Sequence, residues 1–113
     1  MLRFGGSVPV NGEFREILEL ERMLIDAGIP HTIRRLYDGW QICYPDIDNR
    51  VLSAIEFTGS YGSGKDLIEI MRLFDEQEGE FDAVCGNLSA KNVFERIKNH
   101  YDQLEKEQQN DGN

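Results

Sequence analysis

The segment with the clearest chemical potential is the glycine-rich run at residues 59–65, which reads GSYGSGK. Its G-x-x-x-x-G-K spacing is that of a P-loop, in which backbone N–H groups cradle phosphates and the lysine contacts them. The next residue is Asp66, where a P-loop has the Ser or Thr hydroxyl that holds Mg²⁺. We therefore expect no nucleotide hydrolysis.

Two interpretations of this segment remain. One is a plain glycine-rich connector, in which Asp66 favours the N-terminus of a following helix. The other is an anion site that needs no metal, because backbone N–H groups and a lysine suffice to hold an anion. The candidate ligand-binding residues of this segment are Ser60, Tyr61, Gly62 and Lys65.

A second candidate site depends on a predicted β-hairpin. Two β-prone runs, residues 32–37 and 40–44, are separated by only Asp38-Gly39. A two-residue Asp-Gly link between such runs is typical of a hairpin turn in which both residues adopt positive φ. The predicted register pairs Arg35 with Ile42.

This register places an arginine among aromatic residues on one sheet face. The residues of that face are Ile33, Arg35, Tyr37, Trp40, Ile42 and Tyr44. We expect the face to meet the core with Arg35 in its middle, whereas Arg34 on the opposite face is expected to be solvated. A buried guanidinium needs a partner. Either Arg35 stacks on Trp40 or Tyr37, extends to an edge of the sheet or pairs with a glutamate, or it holds a phosphate while aromatic rings stack a base. The candidate ligand-binding residues here are Arg35, Tyr37, Trp40 and Tyr44.

The remaining chemistry-bearing residues predict neither a catalytic set nor a metal site. The two histidines are isolated in sequence, and the two cysteines lie in predicted strands with no histidine nearby, so they are interpreted as small apolar residues. Asp46 and Asp48 begin like a calcium loop, but the glycine and final glutamate of that motif are missing. We expect no catalytic residue, no metal and no cofactor.

The elements that must position these residues follow from the hydrophobic periodicity. A first helix, capped by Asn11, is predicted to stop at Gly28, and a last helix is predicted to begin after Ser89. Strands are predicted at residues 1–4, 51–58 and 81–86. A short helix is predicted after the glycine-rich segment, carrying Leu67, Ile70, Met71 and Phe74.

These elements predict an α+β fold. A small, mostly antiparallel sheet, built from the Asp38-Gly39 hairpin and adjoining strands, is packed with two longer helices and one short helix. We expect one domain at residues 1–104. The polar tail at residues 105–113 is expected to fray.

Composition limits the class of protein. The chain has 113 residues, 40% of them hydrophobic, which suits one domain with a core. No apolar run approaches the ~20 residues of a membrane helix, and there is no basic-then-apolar leader, so we expect no membrane partner. Two cysteines make no disulfide framework, which favours a reducing cytoplasm.

The charge is acidic and unevenly distributed. A net charge of -9 argues against a nucleic-acid partner, because phosphate backbones favour basic surfaces. Residues 1–30 contribute -2, residues 31–65 are neutral, and residues 66–113 contribute -7. The neutral middle is therefore the least repulsive place for an anionic small molecule.

Four runs carry a resemblance to a known group of proteins. They are residues 38–45 (DGWQICYP), 60–62 (SYG), 66–71 (DLIEIM) and 92–97 (NVFERI). At these runs the chain resembles a family of small phage and prophage proteins, over most of its length. It is similar in style to anti-defence "sponges", which sequester cyclic nucleotide or ADP-ribose-type immune signals, usually as oligomers with pockets between subunits.

Three functional hypotheses follow for this chain, and the least favoured is a nucleotide hydrolase built on the P-loop-like residues 59–65. The first is a non-enzymatic sponge in the bacterial host cytosol that captures an anionic nucleotide-like molecule and forms homo-oligomers. The alternative is a phage accessory protein that binds a host protein through the acidic surface of residues 66–113.

Overall fold

Five strands and two helices make up the described part of the protein. The computed structural model describes residues 14–60, 63–72 and 84–111. Its elements are α1 (Arg15–Ala27), β1 (Thr32–Leu36), β2 (Gly39–Tyr44), β3 (Leu52–Glu56), β4 (Ile68–Arg72), β5 (Val84–Leu88) and α2 (Ala90–Asp111). The strands form one antiparallel sheet in the order β1-β2-β3-β4-β5. The predicted α+β class with a mostly antiparallel sheet and two longer helices is confirmed.

The core lies between the sheet and both helices, which pack on the same sheet face. From the sheet, the buried residues are Ile42, Tyr44, Leu52, Ala54, Ile68 and Ile70. From the helices, they include Ile17, Leu20, Leu24, Val93 and Ile97. The paired residues of neighbouring strands share a face, so these strand positions form one continuous apolar surface. The opposite face carries neither described helix.

The helix ends agree with the sequence signals in the described residues. Gly28 adopts φ 69°, and its N–H donates to the carbonyls of Leu24 and Ile25, so α1 stops where predicted. The Ser89 hydroxyl accepts a hydrogen bond from the Asn92 N–H at 3.1 Å, which confirms the predicted cap of α2. The predicted Asn11 cap lies outside the described residues.

The predicted short helix is wrong, because its residues form β4. Ile68 and Ile70 are both buried on the helix-facing side, whereas Glu69 between them is only partly buried and Met71 after them is 41% exposed. This alternation has the period of a strand. Pairing with β4 satisfies the second edge of β3, which a helix at this point would have left without hydrogen-bond partners. The 3₁₀ turn (Ser63–Lys65) precedes β4.

The other predicted elements shift in their boundaries. The third strand is shorter than the predicted 51–58, and β5 extends to Leu88 rather than ending at residue 86. The predicted strand at residues 1–4 lies outside the described residues. α2 continues past Leu104 to Asp111, and the fraying of that tail stays a prediction.

The hairpin forms, but its turn is one residue earlier than predicted. Leu36 pairs with Gly39, so the loop residues are Tyr37 and Asp38, and Tyr37 has the positive φ of 56°. Arg35 pairs with Trp40 instead of Ile42, a shift of two residues. Because side chains alternate with a period of two, Ile33, Arg35, Trp40, Ile42 and Tyr44 still share the predicted face. Tyr37 does not, because it lies in the loop and lines the opposite face.

Gly39 is required for a different reason from the predicted one. It has no positive φ, but a Cβ built on it would lie 1.9 Å from the Glu56 carbonyl oxygen of β3. The backbones of β2 and β3 therefore approach too closely there for any side chain.

Gly39→Ala is expected to destabilise the protein strongly, because the added Cβ overlaps backbone atoms that cannot rotate away. We expect the free energy of unfolding to fall by at least about 2 kcal/mol, measured by urea denaturation. Gly64→Ala is the matched control, since no heavy atom lies within 4 Å of its added Cβ. Equal losses from both variants would contradict the close-approach explanation.

Candidate functional site

Arg35 does not lie in the middle of the core. It is exposed on the edge strand β1, and its guanidinium carbon lies 4.4 Å from the centroid of the Trp40 ring. The guanidinium also donates to the Asp38 carbonyl at 3.4 Å. The prediction of a core arginine is therefore wrong. The arginine lies at the sheet edge, where stacking on Trp40 satisfies it while water still reaches it.

Tyr44 is a core residue and is not accessible to a ligand. Only 1% of its surface is exposed, and its hydroxyl lies 2.8 Å from His100 Nδ1 on α2. Burial raises the pKa of Tyr44 to about 12. Its ring joins the sheet to α2 through this contact, and it is not part of an open surface.

The glycine-rich segment lacks the strand–loop–helix arrangement of a P-loop. It connects β3 to the 3₁₀ turn and β4, so no helix of P-loop length follows Lys65. Ser60 is buried, and its hydroxyl donates to the Phe57 carbonyl and accepts from the Phe57 N–H, which closes the loop on itself. Lys65 is exposed. The predicted site residues Tyr61 and Gly62 lie outside the described residues.

Asp66 caps a helix, but the helix is α1 and not one that follows it. Its Oδ1 accepts the Glu16 N–H at 3.1 Å, and Arg15 lies 3.6 Å from its other oxygen. Glu56 Oε1 accepts the next free donor of this helix end, the Ile17 N–H, at 3.2 Å. The Glu16 carboxylate in turn accepts the Ala90 N–H of α2 at 2.6 Å. Acidic side chains thus accept hydrogen bonds from the N-termini of both helices, and Glu16 joins α1 to α2.

Glu56 is the unusual member of this group. The side chain is fully buried, and its Oε2 has no hydrogen-bond partner among the described residues. Burial, and after it the neighbouring Asp66 carboxylate, raise the pKa of Glu56 to about 9. At neutral pH the group is therefore an uncharged carboxylic acid, which is the less costly form in an apolar interior.

The open sheet face carries a cleft of about 370 Å³. It is lined by Leu36, Tyr37, Gln41, Arg50, Ser53, Ile55, Phe57, Glu69, Ile70 and Met71. Its volume and mixed lining are those of small-molecule sites, which combine apolar walls with a few polar groups. Of the predicted ligand-binding residues, Tyr37 lines this cleft. Arg35 and Trp40 point to the other face of the sheet.

One end of the cleft is aromatic. Tyr37 is 79% exposed, and its ring centroid lies 4.9 Å from that of Phe57, with 57° between the ring planes. Arg50 lies in the loop between β2 and β3, two residues before β3 begins, and is exposed. The two ends of the cleft therefore differ: one offers rings for stacking and the other a cation.

The cleft floor holds a row of hydrogen bonds that crosses three strands. Arg34 Nε donates to Gln41 Oε1 at 2.7 Å, and Gln41 Nε2 donates to Ser53 Oγ at 2.8 Å. Gln41 is only 6% exposed. These residues were not predicted as a site, because a polar strand face is usually solvated. The signal in the sequence was a glutamine in mid-strand on the same predicted face as Arg34, since such a glutamine needs hydrogen-bond partners if it is buried.

Comparison with known protein families, curated proteins and solved structures finds no match. Within residues 14–60, 63–72 and 84–111, no group of three His, Cys, Asp or Glu side chains is placed to hold a metal ion. No helix in the same ranges has the length and apolar character needed to cross a bilayer. The fold and the cleft define an α+β protein in which both described helices cover one sheet face, while the other face carries the cleft.

Glu56→Gln is expected to flatten the pH dependence of stability. In the unfolded chain Glu56 titrates near 4.5, so between pH 4.5 and 9 folding takes up a proton and the free energy of unfolding falls as pH rises. The amide stays neutral at every pH. We expect the variant to exceed wild type by roughly 1–3 kcal/mol at pH 8 and by much less near pH 5.

Urea denaturation at several pH values measures this difference. Glu107→Gln, at an exposed position of α2, removes one carboxylate without touching the buried one and should leave the pH slope unchanged. A Glu56→Gln protein with the wild-type slope would show that Glu56 is ionised in the folded state.

Proposed function

We propose that this protein is a non-enzymatic binding protein that sequesters an anionic nucleotide-like molecule in the cleft of the open sheet face. The observation that carries the proposal is the cleft itself, with an aromatic pair at one end and Arg50 at the other. The resemblance to phage proteins favours an immune signal, such as a cyclic nucleotide or an ADP-ribose-type molecule, as the occupant.

The lining matches the parts of such a ligand. Tyr37 and Phe57 offer ring faces for a base, and Arg50 offers a charge for a phosphate. No ion pair engages Arg50 in the described residues. Glu69 lines the middle of the cleft, where a carboxylate suits the hydroxyl groups of a ribose. Seven of the ten lining residues belong to residues 31–65, whose net charge is zero.

The expected energies are sufficient for specific binding. Stacking on an aromatic ring contributes about 1–3 kcal/mol per base, and a charge-assisted hydrogen bond contributes roughly 1.5–3 kcal/mol. Association itself costs several kcal/mol, so the site must be pre-formed. The strands that carry most of the lining residues are hydrogen-bonded to one another in the sheet, so their backbone does not have to be ordered by the ligand. The proposal includes self-association, because a second copy over the open face would enclose more of the ligand.

A second candidate function uses the far end of α2. Every residue from 102 to 107 is exposed, and this stretch contains Asp102, Glu105 and Glu107. An exposed acidic helix that extends beyond the core suits a basic surface of a host protein. This alternative predicts binding that weakens steeply with salt and does not involve the cleft.

Arg50→Gln is expected to weaken binding of a phosphate-bearing ligand about tenfold or more, because it removes the cation at one end of the cleft. Isothermal titration calorimetry with cyclic AMP, cyclic di-AMP and ADP-ribose measures the effect. The bound molecule should be recovered unaltered after heat release, as mass spectrometry would show.

Arg35→Gln is the matched control. It removes the same charge from a neighbouring strand, but from the opposite sheet face, so affinity should stay unchanged. Absence of binding by wild type to all three ligands would overturn the proposal. An equal loss in both variants would assign the effect to overall charge and not to the cleft.

A further inference from the structure

The hydrogen bonds on the cleft floor have a fixed direction. A guanidinium has only donors, so the Gln41 atom that meets Arg34 must be the carbonyl oxygen. The Gln41 amide nitrogen, which has no acceptor capacity, therefore faces Ser53. Ser53 Oγ must accept this bond. The arrangement of all three groups follows from the arginine at its start.

This direction determines what Ser53 can offer to the cleft. Since its oxygen accepts from Gln41, its hydroxyl proton is available for another acceptor. Within the described ranges 14–60, 63–72 and 84–111, no second side-chain partner of Ser53 is present, and the residue lines the cleft. Successive donor bonds from a cation polarise one another, so this hydroxyl is a stronger donor than an isolated serine.

The donor lies at a definite place along the cleft. Ser53 is the second residue of β3, next to the loop that carries Arg50, whereas Phe57 follows the end of the same strand. Phe57 is four positions after Ser53, which corresponds to about 13 Å along an extended chain. A ligand with a base at the aromatic end would therefore extend toward Ser53 and Arg50 with its other end.

We propose that Ser53 is a specificity-determining residue that donates a hydrogen bond to a phosphate oxygen of the ligand, and that Arg34 and Gln41 orient it. This assignment rests on the proposed function. Arg50 supplies charge to the same phosphate from the rim, and the aromatic pair holds the base. The site favours an acceptor at this end of the ligand, because the bond from Gln41 leaves the Ser53 hydroxyl proton free to donate.

The test compares ligands with and without phosphate. Ser53→Ala should weaken binding of the tightest of cyclic AMP, cyclic di-AMP and ADP-ribose about tenfold. Binding of adenosine, which shares the base and lacks the phosphate, should not change. Ser53→Thr keeps the hydroxyl and should restore most of the lost affinity.

A second variant tests the direction of the bonds. Gln41→Glu keeps the side-chain size, but its oxygens accept from both neighbours, so the Ser53 hydroxyl turns toward residue 41 and no longer serves the ligand. We expect a loss for the phosphate ligand at least as large as that of Ser53→Ala, with adenosine binding unchanged. Thermal unfolding confirms that each variant is folded.

The outcomes separate this inference from the function on which it rests. If wild type binds and Arg50→Gln weakens binding, but Ser53→Ala does not, the role of Ser53 is wrong and the cleft stays the binding site. A Ser53→Ala loss of equal size for adenosine would likewise overturn the phosphate contact. If wild type binds none of the three ligands, the proposed function fails and this inference fails with it.

Discussion

The arrangement of the helix layer depends on carboxylates that satisfy helix N-termini across the fold. α1 has no side-chain cap of its own, and its first free N–H groups donate to Asp66 and Glu56, which lie fifty and thirty-nine residues further along the chain. The Glu16 side chain likewise accepts a hydrogen bond from the Ala90 N–H at the start of α2. A helix end buried without acceptors would be costly. These bonds therefore fix the start of α1 against β3 and the start of α2 against α1.

Because both helices are fixed to one face, the two sheet faces have different roles. The helix side is closed by the core, with Tyr44 tied to His100 at its α2 end. The open side keeps a cleft and the polar row that starts at Arg34. The side chains of the two consecutive arginines on β1 therefore lie on opposite faces of the sheet. Arg35 stacks on Trp40, while Arg34 orients a buried glutamine.

Local signals predicted most of the helices, the hairpin and the sheet faces, since each depends on neighbouring residues. Gly28 needs positive φ, Ser89 caps its own helix, and a two-residue register shift leaves the paired residues of the hairpin on their predicted faces. The prediction of a helix for β4 was wrong. A short apolar run fits both periods, and the choice depended on the unpaired edge of β3, which lies outside the local sequence.

The sequence by itself determined an acidic α+β chain, its hairpin and the residue types available for ligand contact. Tertiary structure alone decided which of these residues meet. It placed the predicted arginine at an edge, buried Tyr44, and turned Asp66 toward α1. It also aligned Gln41 with Ser53 beneath a cleft. The physical reason is that a strand pattern specifies which residues share a face, whereas only the packing of distant elements decides which face is covered and which stays open.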